Sequence, residues 1–214
     1  NNANSYQVAF SSFIDMDWAQ AVANAETVVS ANADFAGGNA SALLYEAYYE
    51  LGKRNYSYGL YIDARENLEK AEIIAWADGD NRLKIFKVQV LLGDSIGKVD
   101  DFENAVSYYQ YALNAINYGE KVANRSDLLN QYQAAEQLAA AGDYRGAYDA
   151  FQSVIGAIDA IYTISEVEVG SGVCLALFAN ENLSTLDAIL KANDLPTNMV
   201  ISFGRVLRVP SIQK

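Results

Sequence analysis

Four copies of one short pattern, spaced by about 42 residues, run through the first three quarters of this chain and restrict what it can fold into. They read Asp17-Trp18-Ala19-Gln20-Ala21, Leu60-Tyr61-Ile62-Asp63-Ala64, Asp101-Phe102-Glu103-Asn104-Ala105 and Asp143-Tyr144-Arg145-Gly146-Ala147. The aligned alanines Ala21, Ala64, Ala105 and Ala147 are 43, 41 and 42 residues apart. Four residues after each comes Ala25, Leu68, Tyr109 or Phe151, and three further on Val28, Ala71, Ala112 or Val154. Positions i, i+4 and i+7 share one helical face, and small residues on it let a neighbouring helix approach closely. A second small position precedes them, because Gly52 and Gly93, each following a leucine, lie 12 residues before their aligned alanines.

The spacing therefore predicts paired helices over residues 1–162, with no strand among them. Such a hairpin cannot bury its apolar face alone, and neighbouring hairpins share a core when they stack. Units two and three carry the pattern best. Unit four has Ala134-Ala135 in place of Leu-Gly, and unit one keeps only its second helix clearly.

The Leu-Gly, aromatic, Ala, large apolar, Ala order resembles the tetratricopeptide (TPR) repeat, whose consensus is about 34 residues long. The resemblance implies an α-α solenoid of about four units over residues 1–163, longer per unit than the consensus. It also implies that the inner face of each first helix meets a protein or peptide. Carried onto this register, the peptide-binding positions are Tyr49, Lys53 and Tyr56 in unit two, Lys87, Asp94 and Lys98 in unit three, and Tyr132 and Glu136 in unit four. The tyrosine clusters Tyr45, Tyr48, Tyr49 and Tyr108, Tyr109, Tyr111 are at helical spacing and read first as seams between hairpins.

The last fifty residues follow another pattern. Val167 and Val169 alternate before Gly170-Ser171-Gly172, two short apolar runs follow, and Leu207 and Val209 alternate again. Strands are expected at about 165–169 and 205–209. This stretch resembles the LysM domain. Leu175, Phe178 and Ala179 fall on that family's first helix, Ile189, Asn193 and Leu195 on its second helix and following turn, and Gly204, Leu207 and Pro210 on its closing strand. The resemblance implies a small βααβ domain over 165–214, making the chain mainly α overall, and binding of peptidoglycan or another N-acetylglucosamine (GlcNAc) glycan between two loops. The implied glycan-binding positions are Gly172, Val173, Cys174 and Leu175 on one side, and Leu195, Pro196, Thr197, Asn198, Val200 and Ile201 on the other. The family's Asp-Thr after the first glycine is replaced by Val173-Cys174 here, and neither caps a helix start well.

With 51% hydrophobic and 20% charged residues, the chain is globular. Its net charge of −12 opposes nucleic-acid and anionic-lipid partners, which need clustered Lys and Arg. No apolar run approaches the roughly 18 residues of a membrane span. The chain has no histidine and one cysteine, which excludes Ser-His and Cys-His nucleophilic pairs, histidine and multi-thiolate metal sites, and an internal disulfide. No cofactor is expected. The acidic residues read as solvated helix faces, with no pair marked out for glycoside hydrolysis.

The expected function is a non-enzymatic scaffold of the bacterial cell envelope, in the periplasm or at the cell surface, with no signal peptide visible in the sequence. The TPR-like surface would take a protein or peptide partner, and the LysM-like module would associate with peptidoglycan. The alternative is a pure interaction scaffold whose degenerate LysM-like domain only caps the solenoid.

Overall fold

The structure is a computed structural model that describes residues 2–170, 174–196 and 204–212. It is mainly α, with one small sheet near the C-terminus. Four helix pairs follow one another: α1 (Asn2–Ile14) with α2 (Trp18–Ala31), α3 (Asn39–Ser57) with α4 (Tyr61–Asp78), α5 (Arg82–Gly97) with α6 (Phe102–Ala115), and α8 (Ser126–Ala140) with α9 (Tyr144–Gly156). A four-residue helix, α7 (Tyr118–Lys121), joins the last two pairs. Helices adjacent in sequence pack on one another from α1 through α6 and again from α8 to α9, an architecture compatible with a helical repeat. Among the described residues no strand occurs before Thr163.

The repeated pattern has a direct structural cause. Asp17, Asp101 and Asp143 are N-caps, and their carboxylates accept hydrogen bonds from the backbone N–H of Gln20, Asn104 and Gly146. Each cap satisfies an N–H that the helix start leaves free. Leu60, at the same place in the second pair, makes no such bond. The aligned alanines and their i+4 and i+7 partners are all 0% exposed, so this face forms the seam of every pair.

The opposite side of the seam must be small. A Cβ on Gly52 would stand 2.7 Å from Leu68 Cγ and 3.2 Å from the Ala64 carbonyl. One on Gly93 would stand 2.6 Å from the Tyr109 ring and 3.1 Å from the Ala105 carbonyl. The equivalent positions in the outer pairs are Ala9 and Ala135, both 0% exposed. The first pair therefore has a complete first helix, α1, in keeping with the pairing expected over residues 1–162, although it lacks the Leu-Gly signature.

After α9 a 3-10 turn (Ile158–Ile161) leads into β1 (Thr163–Glu168). Two short helices, α10 (Leu175–Glu181) and α11 (Leu186–Ala192), separate it from β2 (Val206–Ser211). The strands pair antiparallel, from Thr163 opposite Ser211 to Glu168 opposite Val206. Relative to expectation, β1 begins two residues early and β2 runs to Ser211. Val169 lies just beyond β1, is 1% exposed, and donates its N–H to the Arg205 carbonyl at 2.9 Å.

This unit has its own core of Val169, Phe178, Ala179, Ile189, Leu207 and Val209. Asn193 joins the end of α11 to β2: its side-chain amide donates to the Arg208 carbonyl at 2.7 Å and its Oδ1 accepts the Arg208 N–H at 2.9 Å. The unit is not stacked simply on the last helix pair. Its helix α10 packs on α3, and Ala176, Leu177, Leu186 and Leu190 complete the apolar cluster built by the first three pairs. Ala188 and Ile212 join a second cluster, which contains Leu83, Phe86, Phe151 and Ile158.

Candidate functional site

A group of buried and half-buried polar side chains gathers where the C-terminal unit meets α3 and α5. Asn81 is fully buried at the N-terminus of α5, where its Oδ1 caps the helix by accepting the Lys84 N–H. Its Nδ2 donates to the Ser184 carbonyl at 2.7 Å. Lys84 is 1% exposed; its ammonium donates to Asp78 at 2.9 Å and to the Asn180 side chain, and lies 4.8 Å from the centre of the Tyr45 ring. A buried ammonium without partners would cost several kcal/mol, and these contacts from α4, α10 and α3 offset that cost.

One turn along α5, a second charged group closes the contact. Asp187 accepts from Lys53 of α3 at 2.9 Å and from Lys87 of α5 at 3.2 Å. Burial alone would raise its carboxyl, but the Lys87 and Lys53 ammonium groups outweigh burial and hold it below the usual carboxylate range. Glu46, also on α3, is 1% exposed and has one oxygen with no hydrogen-bond partner. Burial pushes its carboxyl up to about 8 despite the nearby Lys84, which favours the protonated, neutral form at pH 7.

The peptide-binding positions are divided by this arrangement. Tyr49 is buried, and Lys53 and Lys87 gather at one carboxylate, which the chain itself provides. Asp94 accepts from the Tyr109 hydroxyl, and Glu136 accepts from Gln110 at 2.9 Å. Tyr56 is half-buried beside Tyr61, Tyr132 is half-buried between Tyr118 and Phe151, and Lys98 is exposed. Of the tyrosines read as seams, Tyr45, Tyr48, Tyr49 and Tyr109 are buried, whereas Tyr111 is 59% exposed.

Among the glycan positions, Cys174, Leu175 and Leu195 are half-buried and Pro196 is exposed. Leu175 and Leu195 pack against the unit's own core and also against the cluster of the first three helix pairs. Cys174 occupies the N-cap position of α10 and makes no side-chain cap. Burial raises its thiol pKa, which suits a packed side chain more than a reactive one. Gly172, Val173, Thr197, Asn198, Val200 and Ile201 lie outside the described residues.

Sequence reasoning missed Asn81, Lys84, Glu46 and Asp187 as a group. A signal existed for one of them: Glu46 stands in Leu43-Leu44-Tyr45-Glu46-Ala47-Tyr48-Tyr49, where every other residue is apolar. Among the described residues, no cluster of three or more His, Cys, Asp or Glu side chains is placed to hold a metal ion, and no helix is long and apolar enough to cross a membrane. A scan against protein-family models finds no match for this chain, and no curated protein is similar enough to match it.

Proposed function

We propose that the chain is a non-enzymatic scaffold of the bacterial cell envelope, in which a TPR-like row of hairpins holds a LysM-like module in one fixed orientation toward a GlcNAc-containing glycan. The observation that carries this reading is the buried contact of Asn81 with Ser184 and of Lys84 with Asn180, closed by Asp187 between Lys53 and Lys87. A fully buried polar pair such as Asn81 and Ser184 is geometrically demanding and resists sliding. The βααβ order, the private core and the Asn193 tie to β2 support the LysM-like assignment. Fixing the module on the scaffold raises the effective concentration of one ligand when the other is already bound.

In this reading a protein partner does not use Lys53 and Lys87, whose charges already face Asp187. It meets the rest of the row, where Tyr56, Lys98, Tyr132 and Glu136 retain exposed or half-exposed surface. The second reading is a pure interaction scaffold with an inactive module. The uncapped start of α10 at Cys174 favours it, because the lost Thr belongs to the wall of the family's sugar groove.

Co-sedimentation of the full chain with purified peptidoglycan, with and without soluble chitooligosaccharide as competitor, separates the two. Binding that the oligosaccharide abolishes supports the first. Failure to sediment at any peptidoglycan load supports the second.

A further inference from the structure

We propose that the cleft between α1, the start of α3 and α10 is a second saccharide subsite, across which an N-acetylated oligosaccharide extends beyond the LysM-like module's own loops. The inference rests on the glycan-binding reading above and names the part of the helical region that would share the ligand.

The cleft is open and measures about 580 Å³, within the range of small-molecule sites. The half-buried rings of Tyr6 and Phe10 form its apolar part together with Ala36 and Leu177. Tyr6 is held at 5.5 Å from the Phe35 ring and 6.5 Å from the Phe10 ring, so its orientation is set by neighbours that a ligand need not move. Gln7 and Asn39 contribute amides, Ser11 a hydroxyl and Glu181 a carboxylate. No lysine or arginine is among the described residues that line it.

That lining selects by chemistry. A phosphate or an acidic peptide is held best by cationic donors; the described lining offers none, and the carboxylate of Glu181 would repel either. A pyranose ring has apolar C–H faces, with hydroxyl and acetamide groups at its rim. Aromatic rings beside amides and hydroxyls, which both donate and accept, match both features. The cleft is also in the right place. Leu177 and Glu181 of its lining belong to α10, the helix that Cys174 and Leu175 begin. An oligosaccharide that runs along α10 from Cys174 would thus enter the cleft and meet Tyr6 and Phe10 of α1.

Calorimetric titration of the full chain with chitobiose and with chitohexaose tests this. The hexamer is expected to bind about tenfold more tightly than the dimer, or about 1.4 kcal/mol. Ser11→Trp, an exposed position where the indole would fill the cleft, should abolish that gain and leave dimer affinity unchanged. Tyr6→Leu should do the same while keeping apolar contact with Phe35, and its melting temperature reports whether it folds. If both sugars bind and Ser11→Trp retains the full gain, the subsite is wrong and the module reading stands. If neither sugar binds at millimolar concentration, the subsite and the reading beneath it fail together.

Discussion

Asn81 and Ser184, both 0% exposed, meet through a 2.7 Å hydrogen bond that joins the start of α5 to the turn between α10 and α11. The same asparagine caps α5, so one side chain both begins a helix and fastens the C-terminal unit to it. Asn81→Ala should remove the cap and leave the Ser184 carbonyl buried without its donor. The two losses together are worth about 2–4 kcal/mol. Urea denaturation of the full chain should show this as a lower midpoint, with limited proteolysis releasing the last fifty residues first. An unchanged midpoint would mean that the contact contributes nothing to holding the unit.

Glu46 makes folding pH-dependent in a direction opposite to that of most carboxylates. Its folded pKa of about 8 exceeds the ordinary unfolded value of 4.5, so the folded state holds a proton that the unfolded state releases. Stability from this group is fully present below pH about 4.5 and falls as pH rises towards 8. Between pH 5 and pH 8 the loss is about 3 kcal/mol, at roughly 1.4 kcal/mol per pH unit. Glu46→Gln keeps the shape without the charge. It should be more stable than the parent at pH 8 and close to it at pH 5, by denaturant titration at both values. Parallel pH profiles for the two proteins would contradict a neutral Glu46.

The seam glycines give a third expectation. Gly52→Ala improves helix propensity by about 1 kcal/mol. It also drives a methyl against the Ala64 carbonyl at 3.2 Å, which is backbone and cannot turn aside as the Leu68 side chain can. Overpacking of this kind costs about 1–3 kcal/mol, so a net loss of about 1 kcal/mol is expected in thermal denaturation. Gain of stability would mean that the second helix pair is packed more loosely than described.

Most of the helical frame could be read from the sequence because its causes are local. Asp17, Asp101 and Asp143 cap helices within three residues of themselves, and the alanine face repeats inside one helix. The first pair was harder to read because its seam position is Ala9 where the middle pairs have glycine, and alanine is common in any helix. The docking of the C-terminal unit was not legible. Lys84 sits 96 residues from its partner Asn180, and Lys53 sits 134 from Asp187, separations at which no periodicity operates. Lys53 and Lys87 were readable through resemblance as peptide-binding positions, but not the fact that both ammonium groups face the chain's own Asp187.

Cys174→Thr should improve the start of α10. Cys174 already has the extended backbone of an N-cap, with φ −76° and ψ 154°, but its sulfur is only a weak acceptor. A threonine hydroxyl there should add about 0.5–1 kcal/mol to stability. If the loop forms a sugar wall, the same change should tighten binding of chitotetraose several-fold in calorimetric titration. Greater stability with unaltered affinity would separate helix capping from sugar recognition.

The most direct measurement is an amide NMR titration of the full chain with chitotetraose. A glycan-binding module fixed on the helical row predicts saturable shifts at Cys174, Leu175, Leu195 and Pro196's neighbours, together with α1, while α8 and α9 stay unmoved. Absence of any shift at millimolar sugar, or shifts confined to α8 and α9, would contradict it.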